Sequence, residues 1–245
     1  MRALLTDVYR TVVPARDDPH GPLPPLMLVL TLVTGLVDAV SYLALGKVFV
    51  ANMTGNVVFL GFALTGADGL SAPAAVVSLA AFLTGALAGG RLASRFAADR
   101  GRMLAAATAA QAVLVAVAVA AAAVTGGEVT TAVRYTLIVF LGVAMGTQNA
   151  VARRLGVPDL TTTVLTLTLT GLAADSTPAG GKAPRPGRRV LSVLVMFLGA
   201  LIGAVLIAYD RFVLLLALVL ALVAVTSVAA HRLAASGADW TRPPS

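Results

Sequence analysis

The stretch VFVANMTGNVVFLGFALTG, Val48 to Gly66, decides how the chain is read. It is apolar enough to lie in a membrane and directly follows another strongly apolar run. Yet Asn52, Thr54, Gly55 and Asn56 stand together near its start. Polar groups without partners are costly in hydrocarbon, so such a cluster is packed against protein or lines a wet cavity. Outward from it, long apolar runs alternate with short basic loops.

Of 245 residues, 58% are hydrophobic and 12% charged, whereas about a quarter are charged in an ordinary soluble domain. The mean hydropathy is +0.92, and several runs approach or exceed the roughly 18 residues of a membrane-spanning helix. The class is therefore an all-α polytopic membrane protein. The net charge of +7 falls in short loops between apolar runs, as cytoplasmic loops require, and not on one polar face that would bind nucleic acid. With no cysteine, disulfides, thiolate chemistry and iron–sulfur clusters are excluded. His20 and His231 both lie outside the apolar runs, so neither a metal centre nor a cofactor is expected. No P-loop, GxSxG or HExxH pattern occurs, and an enzyme is not expected.

Residues 1–24 form an interfacial segment: an amphipathic stripe of Leu4, Leu5, Val8, Tyr9, Val12 and Val13, then a proline-rich link from Pro14 to Pro25. Residues 25–232 form one membrane domain and 233–245 a polar tail. The first span is expected at about Leu26–Leu45, followed by the polar-centred stretch. Further spans are expected at about Ala72–Ala93, Met103–Val124, Thr131–Ala152, Val190–Ala208 and Phe212–Ala230. A second short stretch, TTTVLTLTLTG, lies between the last two pairs of spans and is rich in threonine.

Three matches recur in order at a spacing of 111 to 114 residues. Gly35-x-x-Asp38-Ala39 pairs with Gly146-x-x-Asn149-Ala150, Met53-Thr54 with Leu165-Thr166, and Gly85-Ala-Leu-Ala-Gly89 with Gly199-Ala-Leu-Ile-Gly203. They define repeat one, 26–124, and repeat two, 131–232. Basic loops at 94–102 and 175–189, with Arg153-Arg154, belong on the cytoplasmic side. Both flanks of the threonine-rich stretch then lie inside, so it enters and turns back. The same logic makes Val48–Gly66 re-entrant from the opposite face. The expected architecture is six spanning helices plus two re-entrant segments in two inverted repeats, with both termini cytoplasmic, a plan of secondary transporters. An eight-span topology, with the 175–189 loop outside, is the rival.

Asp38 is the sole carboxylate within any spanning run. It is either a proton- or cation-linked site or a structural acid satisfied by neighbouring donors. Asn52, Thr54, Gly55 and Asn56 would line a solute pathway or close the hydrogen bonds of a turned backbone. Gln148, Asn149 and Thr166 are their counterparts in the second half. Gly85, Gly89, Gly199 and Gly203 form small faces for close helix contact, between the halves or across a homodimer.

Gly35-x-x-Asp38-Ala39 followed by Phe49-x-Ala51-Asn52-Met53-Thr54-Gly55-Asn56 resembles the signature of the YoaK-type family of uncharacterised bacterial inner-membrane proteins. Gly146-x-Gln148-Asn149-Ala150 with Thr163-Val164-Leu165-Thr166 resembles its second signature, with Leu167 where a glycine is expected. The resemblance covers about 26–230 and implies a plasma-membrane protein with about six spans, without implying an activity. The expected function is a transporter or channel for a small solute or ion through a midplane polar site, working in the lipid bilayer. The alternative is a non-transporting membrane scaffold or accessory subunit.

Overall fold

The computed structural model describes residues 2–15, 18–160, 162, 165–182, 185–235 and 239–242. Among them are nine α-helices, two short 3-10 turns and no strand. The helices are α1 (Arg2–Val12), α2 (Leu23–Ala44), α3 (Met53–Leu64), α4 (Ala72–Arg95), α5 (Arg100–Val124), α6 (Thr131–Leu155), α7 (Leu165–Ala174), α8 (Pro186–Ala208) and α9 (Phe212–Ala234). Six of them, α2, α4, α5, α6, α8 and α9, are long and apolar enough to cross a membrane, and the protein is a polytopic all-α membrane protein. Thr161, Thr163 and Val164 of the threonine-rich stretch lie outside the described residues.

Several helices begin earlier than the hydrophobic pattern predicts, and their first turns explain why. α2 starts at Leu23 with Pro24 and Pro25 in its first turn, where a missing N–H breaks no helical bond. α8 likewise starts on Pro186, inside the basic loop. α5 starts at Arg100 because the Asp99 side chain accepts from Arg102 N at 2.9 Å, a helix N-cap.

Two buried apolar layers fix the helix directions. The upper layer joins Val40 and Leu45 of α2's carboxyl end with Ala74 of α4's start, Ala122 of α5's end, Val133 and Leu137 of α6's start, and Phe212 and Leu215 of α9's start. The lower layer joins Leu23 and Met27 of α2's start with Ala93, Met103, Leu104, Leu155 and Ala230. Hence α2 and α5 run one way while α4, α6 and α9 run the other. The link from α2 to α4, which contains α3, therefore leaves and rejoins the bundle at its upper end.

The long helices meet through glycines. A Cβ on Gly35 of α2 would lie 2.3 Å from the Met196 carbonyl oxygen and 2.7 Å from Ala200 N of α8. One on Gly199 would lie 2.3 Å from the Leu32 carbonyl oxygen. The α4–α6 seam has the same form: Gly146 against the Phe82 carbonyl oxygen at 2.1 Å and Ala86 N at 2.8 Å, and Gly85 against the Val143 carbonyl oxygen at 2.1 Å. Residues 32 and 35 precede 143 and 146 by 111; residues 82, 85 and 86 precede 196, 199 and 200 by 114. Gly89 against Thr147 and Gly203 against Leu36 follow the same two offsets. The four glycines predicted to mediate close contact are thus occupied within the chain. Both seams are parallel, so α8 runs with α2, and the link from α6 to α8, which contains α7, starts and ends at the lower end.

The lower end is tied together by buried Arg100, 3% exposed. Its guanidinium donates to the last carbonyl of α6, Leu155, at 2.8 Å and to Pro19 at 3.3 Å, and it lies 3.0 Å from His20 Nδ1. Burial, and Arg100 beside it, hold the His20 imidazole below its ordinary value of 6.5. Trp240, in the tail, folds back between Gly21 and Gly101. α1 packs on the start of α8, where Arg188 N donates to Asp7 at 3.1 Å. Its Leu5 and Tyr9 remain exposed on an outer apolar face.

Replacing Gly35 or Gly146 by alanine should push backbone from backbone and destabilise by about 1–3 kcal/mol. Gly61→Ala in α3, with no atom within 4 Å of the new methyl, should not. Melting temperatures of the detergent-solubilised protein compare the three; equal values would show that the seams do not hold the bundle.

Candidate functional site

The chain leaves α2 at Leu45 and passes through Gly46 and Lys47 in left-handed backbone, at φ 91° and 54°. Residues 48–52 then run back along the bundle without helix until α3 begins at Met53. A turned, buried backbone needs partners for its own polar groups. Asn56, 0% exposed, supplies them: its Oδ1 accepts from Phe49 N at 2.8 Å and its Nδ2 donates to the Phe49 carbonyl at 2.5 Å. Nδ2 also donates to Ser78 Oγ at 3.1 Å, and Ser78 donates to the same Phe49 carbonyl at 2.5 Å. Ser78 is the seventh residue of α4, about 9 Å along its axis. The start of α3 thus lies inside the bundle, and the helix runs from there back toward the upper end.

The Phe49 ring rests on Gly55, where a Cβ would lie 2.7 Å from ring carbon Cδ2. It stacks on Tyr42 and Phe59, with centroids 5.2 and 5.8 Å away. Gly55 therefore makes room for a ring of the same loop. Thr54, one residue before it, is exposed.

Asp38 lies six residues before the end of α2, at a depth like that of Ser78 in α4. It is 6% exposed. Asn52 is the N-cap residue of α3, but its side chain makes no cap bond; its Nδ2 donates to Asp38 Oδ2 instead. The helix amino end, with its partial positive charge, is thereby directed at the chain's own carboxylate. Asp38 Oδ1 is buried and accepts no hydrogen bond of ordinary geometry, and the Ala51 backbone N–H is the one further donor close to the carboxylate. No Lys or Arg pairs with Asp38 among the described residues.

One turn below on the same face of α2 is Thr34. Its hydroxyl donates to the Leu30 carbonyl at 2.9 Å and accepts from Gln148 Nε2 of α6 at 3.0 Å. Gln148 Oε1 in turn accepts from Gln111 Nε2 of α5 at 2.8 Å. Gln111 Oε1 ends the chain, buried and without a partner. Three helices are thus joined by one polar thread beside Asp38.

The structure brings Asp38, Asn52, Gln148 and Asn56 into the bundle in three hydrogen-bonded groups: Asp38 with Asn52, Asn56 with Phe49 and Ser78, and Gln148 with Thr34 and Gln111. Asn149, the counterpart of Asp38, is half-buried and donates to the Met145 carbonyl of its own helix at 2.9 Å. Thr166, in the first turn of α7, is exposed like Thr54. Sequence reasoning missed Thr34, Ser78 and Gln111 as members. Gln111 carried a legible signal, as the one amide in a run of Ala and Val; Ser78 and Thr34 carried none beyond their position.

Asn56→Leu keeps the volume but leaves the Phe49 amide buried without an acceptor, which should cost about 1–3 kcal/mol. A lowered melting temperature checks it, against Thr54→Ala as the unaffected control. An unchanged melting temperature would deny Asn56 its clamp.

A family model described as "Protein of unknown function (DUF1275)" matches residues 26–229, from the first turn of α2 into the last turns of α9. The chain is also 32% identical over 150 residues to the "UPF0700 transmembrane protein YoaK" of Bacillus subtilis (strain 168). That alignment covers 61% of this chain and 65% of the relative, just under two thirds of its length. No solved structure matches. Spanning helices, the Asp38–Asn56 signature and the family match coincide over the same residues, and the chain belongs to the DUF1275 family of YoaK-type transmembrane proteins.

Proposed function

We propose that this membrane protein is a transporter or channel for a small solute or ion, with passage depending on Asp38. The supporting observation is the sparsely bonded buried carboxylate: Oδ2 holds Asn52, the Ala51 backbone N–H lies close by, and Oδ1 accepts no hydrogen bond of ordinary geometry. An isolated ionised carboxylate is strongly disfavoured in low-dielectric surroundings. The open oxygen is suited to a proton, a small cation or a hydrogen-bond donor on a solute. An anion would meet Asp38's own charge at the amino end of α3. Asn52 and Gln148 flank the path, Asn149 is the uncharged counterpart in the second half, and Thr54 and Thr166 hold matching exposed positions in the first turns of α3 and α7. Asn56 favours the alternative of a non-transporting scaffold at its own position, since its amide is occupied by Phe49.

The same reading makes 26–124 and 131–232 inverted repeats in the inner membrane, with α3 and α7 re-entrant from opposite faces and both termini cytoplasmic. The matched offsets of the two glycine seams support it, as do the opposite ends at which the α3 and α7 links lie. Broken elements meeting spanning helices near the midplane are the usual placing of coupling sites in secondary transporters.

The natural chain has no cysteine, so single substitutions report cleanly. Asp68→Cys and Gly180→Cys should react with an impermeant maleimide from opposite faces of oriented membranes; reaction from one face sinks the inverted repeat. For the site, proteoliposomes carrying a pH-sensitive dye should show proton entry under an imposed potassium diffusion potential. Asp38→Asn should reduce that flux by about 10-fold or more with an unchanged melting temperature. Equal flux through the two proteins would demote Asp38 to a structural acid.

A further inference from the structure

A second feature, remote from Asp38, lies between α4 and α6 at the lower end of the bundle. Beside the seam at Gly85 and Gly89, the two helices line a groove of about 860 Å³. Its inner wall is apolar, formed by Leu87 and Ala150, and Gly90 opens into it with nothing within 4 Å of where a Cβ would stand. Its rim carries Arg91 from α4 and Arg153 and Arg154 from α6, and no acidic residue lines it. The three guanidinium groups are exposed and make no hydrogen bond or ion pair among the described residues. By contrast, Arg189 and Arg102, elsewhere on the same end, pair with Asp159, Asp175 and Asp99.

Three unneutralised arginines on one short rim repel each other unless an anion sits among them. The groove lies at the level where the apolar lengths of α4 and α6 give way to arginines. The occupant that satisfies both the charge and the apolar wall carries a negative phosphodiester joined directly to hydrocarbon. We propose that this groove binds one anionic phospholipid, with its phosphate held by Arg91, Arg153 and Arg154 and its first acyl carbons laid against Leu87 and Ala150. Gly90 is the position that admits the chain. Free phosphate would use the arginines and leave the apolar wall empty, so the lipid is the favoured source of the anion.

The test uses the full chain purified in a zwitterionic detergent and challenged with phosphatidylglycerol, phosphatidylcholine or inorganic phosphate. Phosphatidylglycerol alone should give a one-to-one adduct in native mass spectrometry and raise the melting temperature. Replacing Arg91, Arg153 and Arg154 together by Gln should weaken phosphatidylglycerol binding on the order of 100-fold. Lys at the three positions should restore most of it. Gly90→Leu, which fills the groove without changing charge, should weaken binding as well and provides a readout if the triple variant fails to fold. Arg102→Gln with Arg232→Gln removes two charges from the neighbouring α5–α9 groove and should leave binding unchanged. Equal loss in that control pair, equal protection by phosphatidylcholine or by inorganic phosphate, or full binding by the Gly90→Leu protein would each overturn the assignment.

Discussion

Backbone touching backbone is the constraint on which the bundle depends. Lipid tails are as apolar as leucine, so spanning helices gain little from hiding apolar side chains from them, and close packing has to supply the adhesion. Gly35 and Gly199 provide it between α2 and α8, Gly85 and Gly146 between α4 and α6. At each contact a single methyl would stand within about 2.3 Å of a carbonyl oxygen. Once α2 and α6 are held by these seams, Thr34 and Gln148 come within hydrogen-bond reach, and Asp38 faces the incoming chain before α3.

Within the polar interior, neighbouring residues of one motif divide their tasks. Asn56 saturates a backbone amide and carbonyl, and Gly55 accommodates the ring of the residue that Asn56 clamps. Those two make the turn possible. Asn52 and Asp38 use each other incompletely, and one carboxylate oxygen accepts no hydrogen bond of ordinary geometry. A motif that looks uniform in sequence thus holds a scaffold half and a half with unused capacity.

Spans were legible because hydropathy integrates over about 20 residues, and so were the small-residue faces and the polar cluster at Asn52–Asn56. The ends were less so: Pro24 and Pro25 resemble a linker but occupy a first turn that tolerates them. Arg100 resembles any loop arginine, and its burial depends on two carbonyls from residues 55 and 81 positions away. The duty of Asn56 was equally hidden, because donating to Phe49 and lining a path require the same residue type. Gln111 stood out in its run, but only the packing of α5 on α6 shows that it meets Gln148. Local chemistry is written in the sequence; which partner satisfies it is decided by long-range packing.

The two glycine seams each join a helix from one half of the chain to a helix from the other. Pulling the parts before and after residues 125–130 away from each other would therefore have to open both seams at once. Swinging one half against the other carries that same penalty. α3 and α7, by contrast, rest chiefly on α4 and α8 respectively. Either short helix can therefore be displaced without parting the two glycine seams, whereas no long helix of a seam can.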